Sequence, residues 1–213
     1  GWAVFSEHLF TEAIYGDVAY MEAVKANAVD VLHYAAARDG NNYFAISNVP
    51  ETNTYGATTY NKGAAVVHTL RGYMGDELFF SCVTSFLNAH KFQAISAAIL
   101  RDYLSECSGI DLTNFFNDWV YQPGSLAVEV DDIGQNVSGI SSICLEQKKS
   151  HADNFGNGIP LSIFFMDNNG FLADSMEIEM SGIKKMVTIP FPTLTGDYNV
   201  VIDYRNKLND AVT

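Results

Sequence analysis

The spacing of apolar residues changes near residue 124 of this 213-residue chain. Before that point apolar residues recur every three or four positions, which is the spacing of one helix face. After it they alternate with polar residues, as in residues 126–130, 161–165 and 176–180, which is typical of strands with one buried face. The pattern predicts an α+β protein, with an N-terminal α-helical bundle over residues 1–124 and a small antiparallel β-sandwich over residues 125–213.

Capping residues and glycines divide the first part into helices. The predicted helices cover residues 2–15, 17–37, 58–74, 76–90, 96–108 and 111–122, and the third begins at Thr58 or Thr59. Residues 41–59 are rich in Asn and Thr and are predicted to form a long ordered loop, the kind of segment that often lines a functional site. In the second part, Asp167-Asn168-Asn169-Gly170 predicts a hairpin turn, and residues 198–204 a last strand.

The charge of the chain excludes some classes of partner. Lys and Arg number 12 against 25 Asp and Glu, a formal net charge of −13. Such a field repels polyanions, so nucleic acid is not an expected partner, and neither is an anionic membrane surface. No apolar run reaches the roughly 18 residues that a membrane-spanning helix needs. Nothing in the sequence predicts a cellular compartment.

Cys82, Cys107 and Cys144 are an odd number of cysteines without the spacing of a zinc knuckle. Buried free thiols are the favoured interpretation, because cysteine is among the most buried residue types. One disulfide with one free thiol is the alternative left open.

Few residues stand out as catalytic from spacing alone. The five histidines lie far apart, and none is expected to be a metal ligand. The clearest local feature is Tyr60-Asn61-Lys62-Gly63, at a predicted helix start directly after the long loop. A tyrosine there can project its phenol into a cavity and donate a hydrogen bond to an oxyanion. Spacing alone favours the alternative that Tyr60 is a core aromatic and that Gly63 allows close helix packing.

Several motifs, taken in order, carry a family resemblance. They resemble the aminopeptidase N family of zinc metallopeptidases over residues 1 to about 130, and the sandwich more loosely. The opening residues 1–7 resemble the segment that follows that family's third zinc ligand, a glutamate. The other motifs are residues 60–67, Leu70-Arg71, residues 75–79, residues 115–119 and Gln122-Pro123-Gly124.

The resemblance implies a fold and two site residues. Residues 1–124 would be the helical C-terminal half of a thermolysin-like catalytic domain, and residues 125–213 the β-sandwich domain that follows it. Tyr60 matches the tyrosine that stabilises the oxyanion of the tetrahedral intermediate. Glu7 matches a carboxylate that steadies a zinc-bound histidine, and it lies about two helical turns from the position of the zinc glutamate.

The chain also departs from the family pattern. The H-E-x-x-H helix, the third zinc ligand and the Gly-rich loop that binds the substrate amine are missing from it. Zinc is therefore expected in the full-length parent and no metal in this chain, whose partner would be the missing N-terminal half of the catalytic domain. The parent is expected to remove N-terminal residues from peptide substrates, and the isolated chain to be inactive. The alternatives are a non-catalytic scaffold or interaction module, and a relative with epoxide hydrolase activity.

Overall fold

The computed structural model describes residues 1–136, 139–189, 198–203 and 207–208. A π-helical segment, Val31–Ala35, joins α2 to α3, and a second one, Thr58–Lys62, leads directly into α4. None of the described helices is long and apolar enough to cross a membrane. The helices are α1 Trp2–Tyr15, α2 Asp17–Asp30, α3 Ala36–Arg38, α4 Gly63–Met74, α5 Asp76–Ala89, α6 Ala97–Ser108 and α7 Thr113–Trp119.

The predicted helices are confirmed when the two π-helical segments are counted with them, and their bounds agree to within one residue except in the last helix. The last helix is shorter than residues 111–122. Its start is displaced because the Asp111 side chain accepts a hydrogen bond from Thr113 N at 2.9 Å instead of joining the helix. The helix ends before Pro123, because helical backbone angles are disfavoured for the residue that precedes a proline.

The strands form two antiparallel sheets of three strands each, in the orders β1-β2-β5 and β4-β3-β6. The predicted hairpin turn is present between β3 and β4, where Gly170 N donates to Asp167 O at 2.9 Å. Of the predicted last strand, Tyr204 lies outside the described residues. The strands are β1 Ser125–Asn136, β2 Gly139–Ser150, β3 Ile159–Met166, β4 Leu172–Met180, β5 Lys184–Thr188 and β6 Asn199–Ile202.

One buried apolar cluster connects the helices with both sheets. The change from helix to strand falls where the spacing predicts it, with β1 beginning at Ser125. Gly124 packs so closely against the end of β2 that an added Cβ would lie 2.1 Å from Ser150 O. A division into two domains at this point remains a prediction. The cluster includes Phe5, Leu70, Phe79, Leu104, Phe115, Leu126, Ile143, Ile163 and Phe165.

Buried polar side chains fix the loop between β2 and β3 against α7. The Asp118 carboxylate accepts a hydrogen bond from Asn157 N at 2.7 Å, and Gln122 Oε1 accepts one from Asn154 N at 2.9 Å. Asp118 is 7% exposed. Burial raises the pKa of Asp118 to about 6, against the opposing effect of the Asn157 amide. This carboxyl therefore titrates far above the range of an exposed aspartate.

The interpretation of all three cysteines as free thiols is wrong. Cys82 on α5 and Cys107 on α6 form a disulfide, with their Cα atoms 5.8 Å apart, while Cys144 is free and half-buried. The two helices pack antiparallel, and further along the same interface Ser85 Oγ and Tyr103 Oη share a hydrogen bond of 2.7 Å. Helix packing, which cysteine counting does not reveal, brings the pair within disulfide range.

Asp118 predicts an unusual pH dependence of stability. A carboxyl whose pKa is raised on folding stabilises the fold at low pH, and this contribution is lost as pH rises through about 6. When the pH is lowered from about 7 to about 5, the free energy of unfolding should therefore increase more in the wild type than in Asp118→Asn. Urea unfolding at the two pH values measures the difference. The exposed Asp153→Asn variant is the control and should follow the wild type; equal pH dependence in Asp118→Asn and wild type would contradict the assignment.

Candidate active site around Tyr60

Tyr60 lies in the π-helical segment that opens α4, with its backbone N donating to Gly56 O at 3.2 Å. Its side chain is 37% exposed, and its phenol makes no hydrogen bond to any part of the chain that the structure describes. Among the residues that the structure describes, its aromatic neighbour is Tyr55, at 6.5 Å between ring centroids. The interpretation of Tyr60 as a core aromatic is therefore wrong.

The next residue, Asn61, faces the protein. Its backbone O accepts a hydrogen bond from Asn27 Nδ2 at 3.0 Å, and its Nδ2 donates to Asn27 Oδ1 at 3.2 Å and to Asp30 Oδ2 at 3.1 Å. Asp30 also pairs with Arg38, whose Nη1 donates to Asp30 Oδ2 at 2.7 Å. These bonds attach the Tyr60 segment to the C-terminal part of α2.

Lys62 attaches the same segment to the long loop. Its Nζ donates to Phe44 O at 3.1 Å. Burial lowers the pKa of Lys62 to about 8. Within the described ranges no carboxylate lies within ion-pair distance of this ammonium group. Lys62 thus serves as a hydrogen-bond donor to the loop backbone.

Gly63 packs directly against the start of α1. A Cβ added to Gly63 would lie 2.9 Å from Gly1 Cα, and one added to Gly1 would lie 2.7 Å from the carbonyl carbon of Gly63. The nitrogen of Gly1 also donates to Thr59 O at 2.7 Å. The prediction that Gly63 allows close helix packing is therefore confirmed, and α1 begins beside the Tyr60 segment.

Glu7 is exposed on α1, six residues after Gly1 and therefore about 9 Å further along the helix axis. Its carboxylate has no hydrogen bond or ion pair with the residues described here. Glu7 lies on α1, the helix whose first residue contacts the Tyr60 segment. Its neighbour His8 has a buried Nδ1 without a hydrogen-bond partner in the described ranges. Burial lowers the pKa of His8, and the negative charge of Glu7 opposes this.

Two buried polar residues that contact the Tyr60 segment were not predicted from the sequence. Asn27 is 8% exposed and Asp39 is 1% exposed. Asn27 follows Val24 by three positions on the apolar face of α2, so a polar residue within an apolar stripe was the available signal. Nothing local in the sequence indicates that the Asp39 side chain reaches the far end of the loop.

One acidic group in the described ranges has carboxylates close enough to hold a metal ion. It comprises Glu129, Asp131 and Glu146, on the β1-β2-β5 sheet and not on the elements that carry Tyr60. Lys184 Nζ already pairs with Asp131 at 2.8 Å and with Glu146 at 3.3 Å. This lysine-paired group contains no histidine and does not fit the catalytic zinc site that the family resemblance implies.

Comparison with protein families matches residues 1–119 to the peptidase family M1 domain. Probable aminopeptidase 1 of Sulfurisphaera tokodaii is 32% identical over 79 residues, which are 37% of this chain and 10% of that protein. Aminopeptidase N of Lactococcus lactis is 32% identical over 91 residues, 42% of this chain and 11% of that protein. Leucyl aminopeptidase of Saccharolobus solfataricus is 29% identical over 53% of this chain and 14% of that protein.

The fold has a solved counterpart. A crystal structure of Legionella pneumophila aminopeptidase A in complex with aspartic acid matches with a TM-score of 0.66 and 16% identity, over 100% of this chain and 23% of that one. The chain thus corresponds to less than a quarter of that enzyme, and its matches span 10–14% of the three curated relatives. Because the family model matches more than half of the residues, the chain belongs to peptidase family M1, the family of the aminopeptidases N.

Proposed function

We propose that this chain is the Tyr60-bearing part of a zinc-dependent aminopeptidase that hydrolyses N-terminal residues from peptides. The observation that carries the proposal is the exposed, unpaired phenol of Tyr60 at a helix start within the M1-matching region. In this proposal residues 1–124 form the helical C-terminal half of the catalytic domain and residues 125–213 the following sandwich. The named relatives, all aminopeptidases, support the substrate class.

The proposed role of Tyr60 is to donate its phenolic proton in a hydrogen bond to the oxyanion of the tetrahedral intermediate. Such a donor is effective when it is fixed before the reaction, since no reorganisation is then needed as charge develops. Asn61 and Lys62, the two residues that follow Tyr60, hold the adjoining backbone in place through their own hydrogen bonds. Tyr60 is exposed and makes no hydrogen bond to the described residues, so its hydroxyl can donate to the oxyanion of a bound substrate.

The zinc of the parent would be held by residues outside this chain, and when bound it would supply Lewis-acid polarisation of the scissile carbonyl. We propose that Glu7 steadies a histidine ligand of that zinc by accepting a hydrogen bond from its ring. Its exposed, unpaired carboxylate on the helix beside the Tyr60 segment supports this role. Without the zinc ligands and the general base, the isolated chain should not hydrolyse peptides.

Replacing Tyr60 by phenylalanine in the full-length parent tests the catalytic proposal. Loss of one oxyanion donor lowers kcat by roughly 10²–10³-fold while KM changes little, because the hydrogen bond forms in the transition state. Steady-state kinetics on an aminoacyl anilide measures both constants. Tyr55→Phe is a matched control, since Tyr55 is a neighbouring exposed tyrosine and should retain wild-type kcat. A Tyr60→Phe enzyme within a few-fold of wild type would remove Tyr60 from the mechanism.

Replacing Glu7 by glutamine in the parent tests the second role. Loss of a carboxylate that orients a metal-bound histidine weakens metal affinity about 10–100-fold. Dialysis against a graded series of chelator concentrations, followed by metal analysis, measures the affinity, and excess zinc should restore activity at least in part. Glu22→Gln, at an exposed glutamate on α2, is the control. If Glu7→Gln retains zinc as firmly as this control, Glu7 has no role at the metal.

A further inference from the structure

The Asp39 carboxylate is the most buried acidic group near Tyr60, with 1% of the residue exposed. Its Oδ1 accepts a hydrogen bond from Ala57 N at 2.8 Å, and its Oδ2 accepts two from Thr58, from the backbone N at 2.8 Å and from Oγ1 at 2.6 Å. Asp39 lies just before the long loop of residues 41–59, and Ala57 and Thr58 lie at the end of that loop. The carboxylate therefore joins the two ends of the loop.

These contacts are made at the start of the helical segment that carries Tyr60. The first amides of a helix have no intrahelical acceptor, and a carboxylate placed there also interacts favourably with the helix dipole. Thr58 is two residues before Tyr60, so the bonds to its amide and hydroxyl determine the direction in which the segment leaves the loop.

Gly56 provides the space that this carboxylate occupies. A Cβ added to Gly56 would lie 2.2 Å from Asp39 Oδ1, so any larger residue would displace the carboxylate from the helix start. No lysine, arginine or histidine pairs with Asp39 in the described ranges. Its charge is balanced by the three N–H and O–H donors, and charge-assisted bonds of this kind are the strong ones.

We propose that Asp39 is a positioning residue for Tyr60: by holding Ala57 and Thr58, it sets the orientation of the phenol that the proposed aminopeptidase reaction uses. The catalytic part of this inference rests on the proposed function, whereas the structural coupling of Asp39 to Tyr60 does not. Asparagine at position 39 keeps the shape but replaces one acceptor oxygen by an NH₂ donor, which faces amide donors. Asp39→Asn should therefore release the start of the segment.

The coupling is tested on the 213-residue chain by NMR with ¹³C-labelled tyrosine, with the Tyr60 ring assigned from the signal that Tyr60→Phe removes. Asp39→Asn should shift the Tyr60 ring signals and weaken their contact with Tyr55, and Thr58→Val should do so to a smaller extent. Tyr103, on α6, should stay unchanged and reports that the fold is intact. Asp118→Asn is the matched control, because it alters another buried carboxylate that accepts a backbone amide hydrogen bond.

Unchanged Tyr60 signals in Asp39→Asn and Thr58→Val would overturn the inference. Should Asp39→Asn fail to fold, Thr58→Val decides alone, since it is close to isosteric and removes only the Oγ1 donor.

In the full-length enzyme Asp39→Asn should lower kcat about 10–100-fold with little change in KM, the effect of misplacing a catalytic group. An active Tyr60→Phe enzyme together with shifted Tyr60 signals in Asp39→Asn would refute the proposed function alone. An inactive Tyr60→Phe enzyme with unmoved signals would refute the role of Asp39 alone.

Discussion

The contact between Gly63 and Gly1 is the constraint on which the candidate site depends. The two backbones approach so closely that a Cβ on either residue would lie within 3 Å of the other residue. This approach brings the start of α1 against the segment that carries Tyr60, and it allows the nitrogen of Gly1 to donate to Thr59 O. A larger side chain at Gly63 would separate α1 from α4 and thereby alter the relation of Glu7 to Tyr60.

Hydrogen bonds from buried and half-buried groups then decide which side chain of the motif meets solvent. Leaving a buried donor or acceptor unpaired costs about 1–3 kcal/mol. Asn61, Lys62 and Asp39 each make side-chain hydrogen bonds to the protein, and these bonds resist rotation of the segment. Tyr60 has no such partner among the described residues and is left exposed.

The sequence predicts most of the elements because their signals are local. Helix ends at Gly16 and Gly75 and the turn at residues 167–170 depend on residues within a few positions of one another. The Cys82–Cys107 disulfide and the reach of Asp39 across the loop depend instead on helix packing, for which periodicity carries no signal. Spacing alone favours a core aromatic at Tyr60, and the structure contradicts this because Tyr60 is 37% exposed. Family resemblance, not composition, pointed to Tyr60 and Glu7.

Nitration of the native chain with tetranitromethane, mapped by mass spectrometry, tests most directly whether the motif presents the phenol of Tyr60 to solvent. Tyr20 is 3% exposed, Tyr60 37% and Tyr55 87%, so the three form an internal series. The account predicts that Tyr55 and Tyr60 are both modified in the folded protein and that Tyr20 is protected until unfolding. Protection of Tyr60 to the same degree as Tyr20 would show that it is a core residue and would contradict the account.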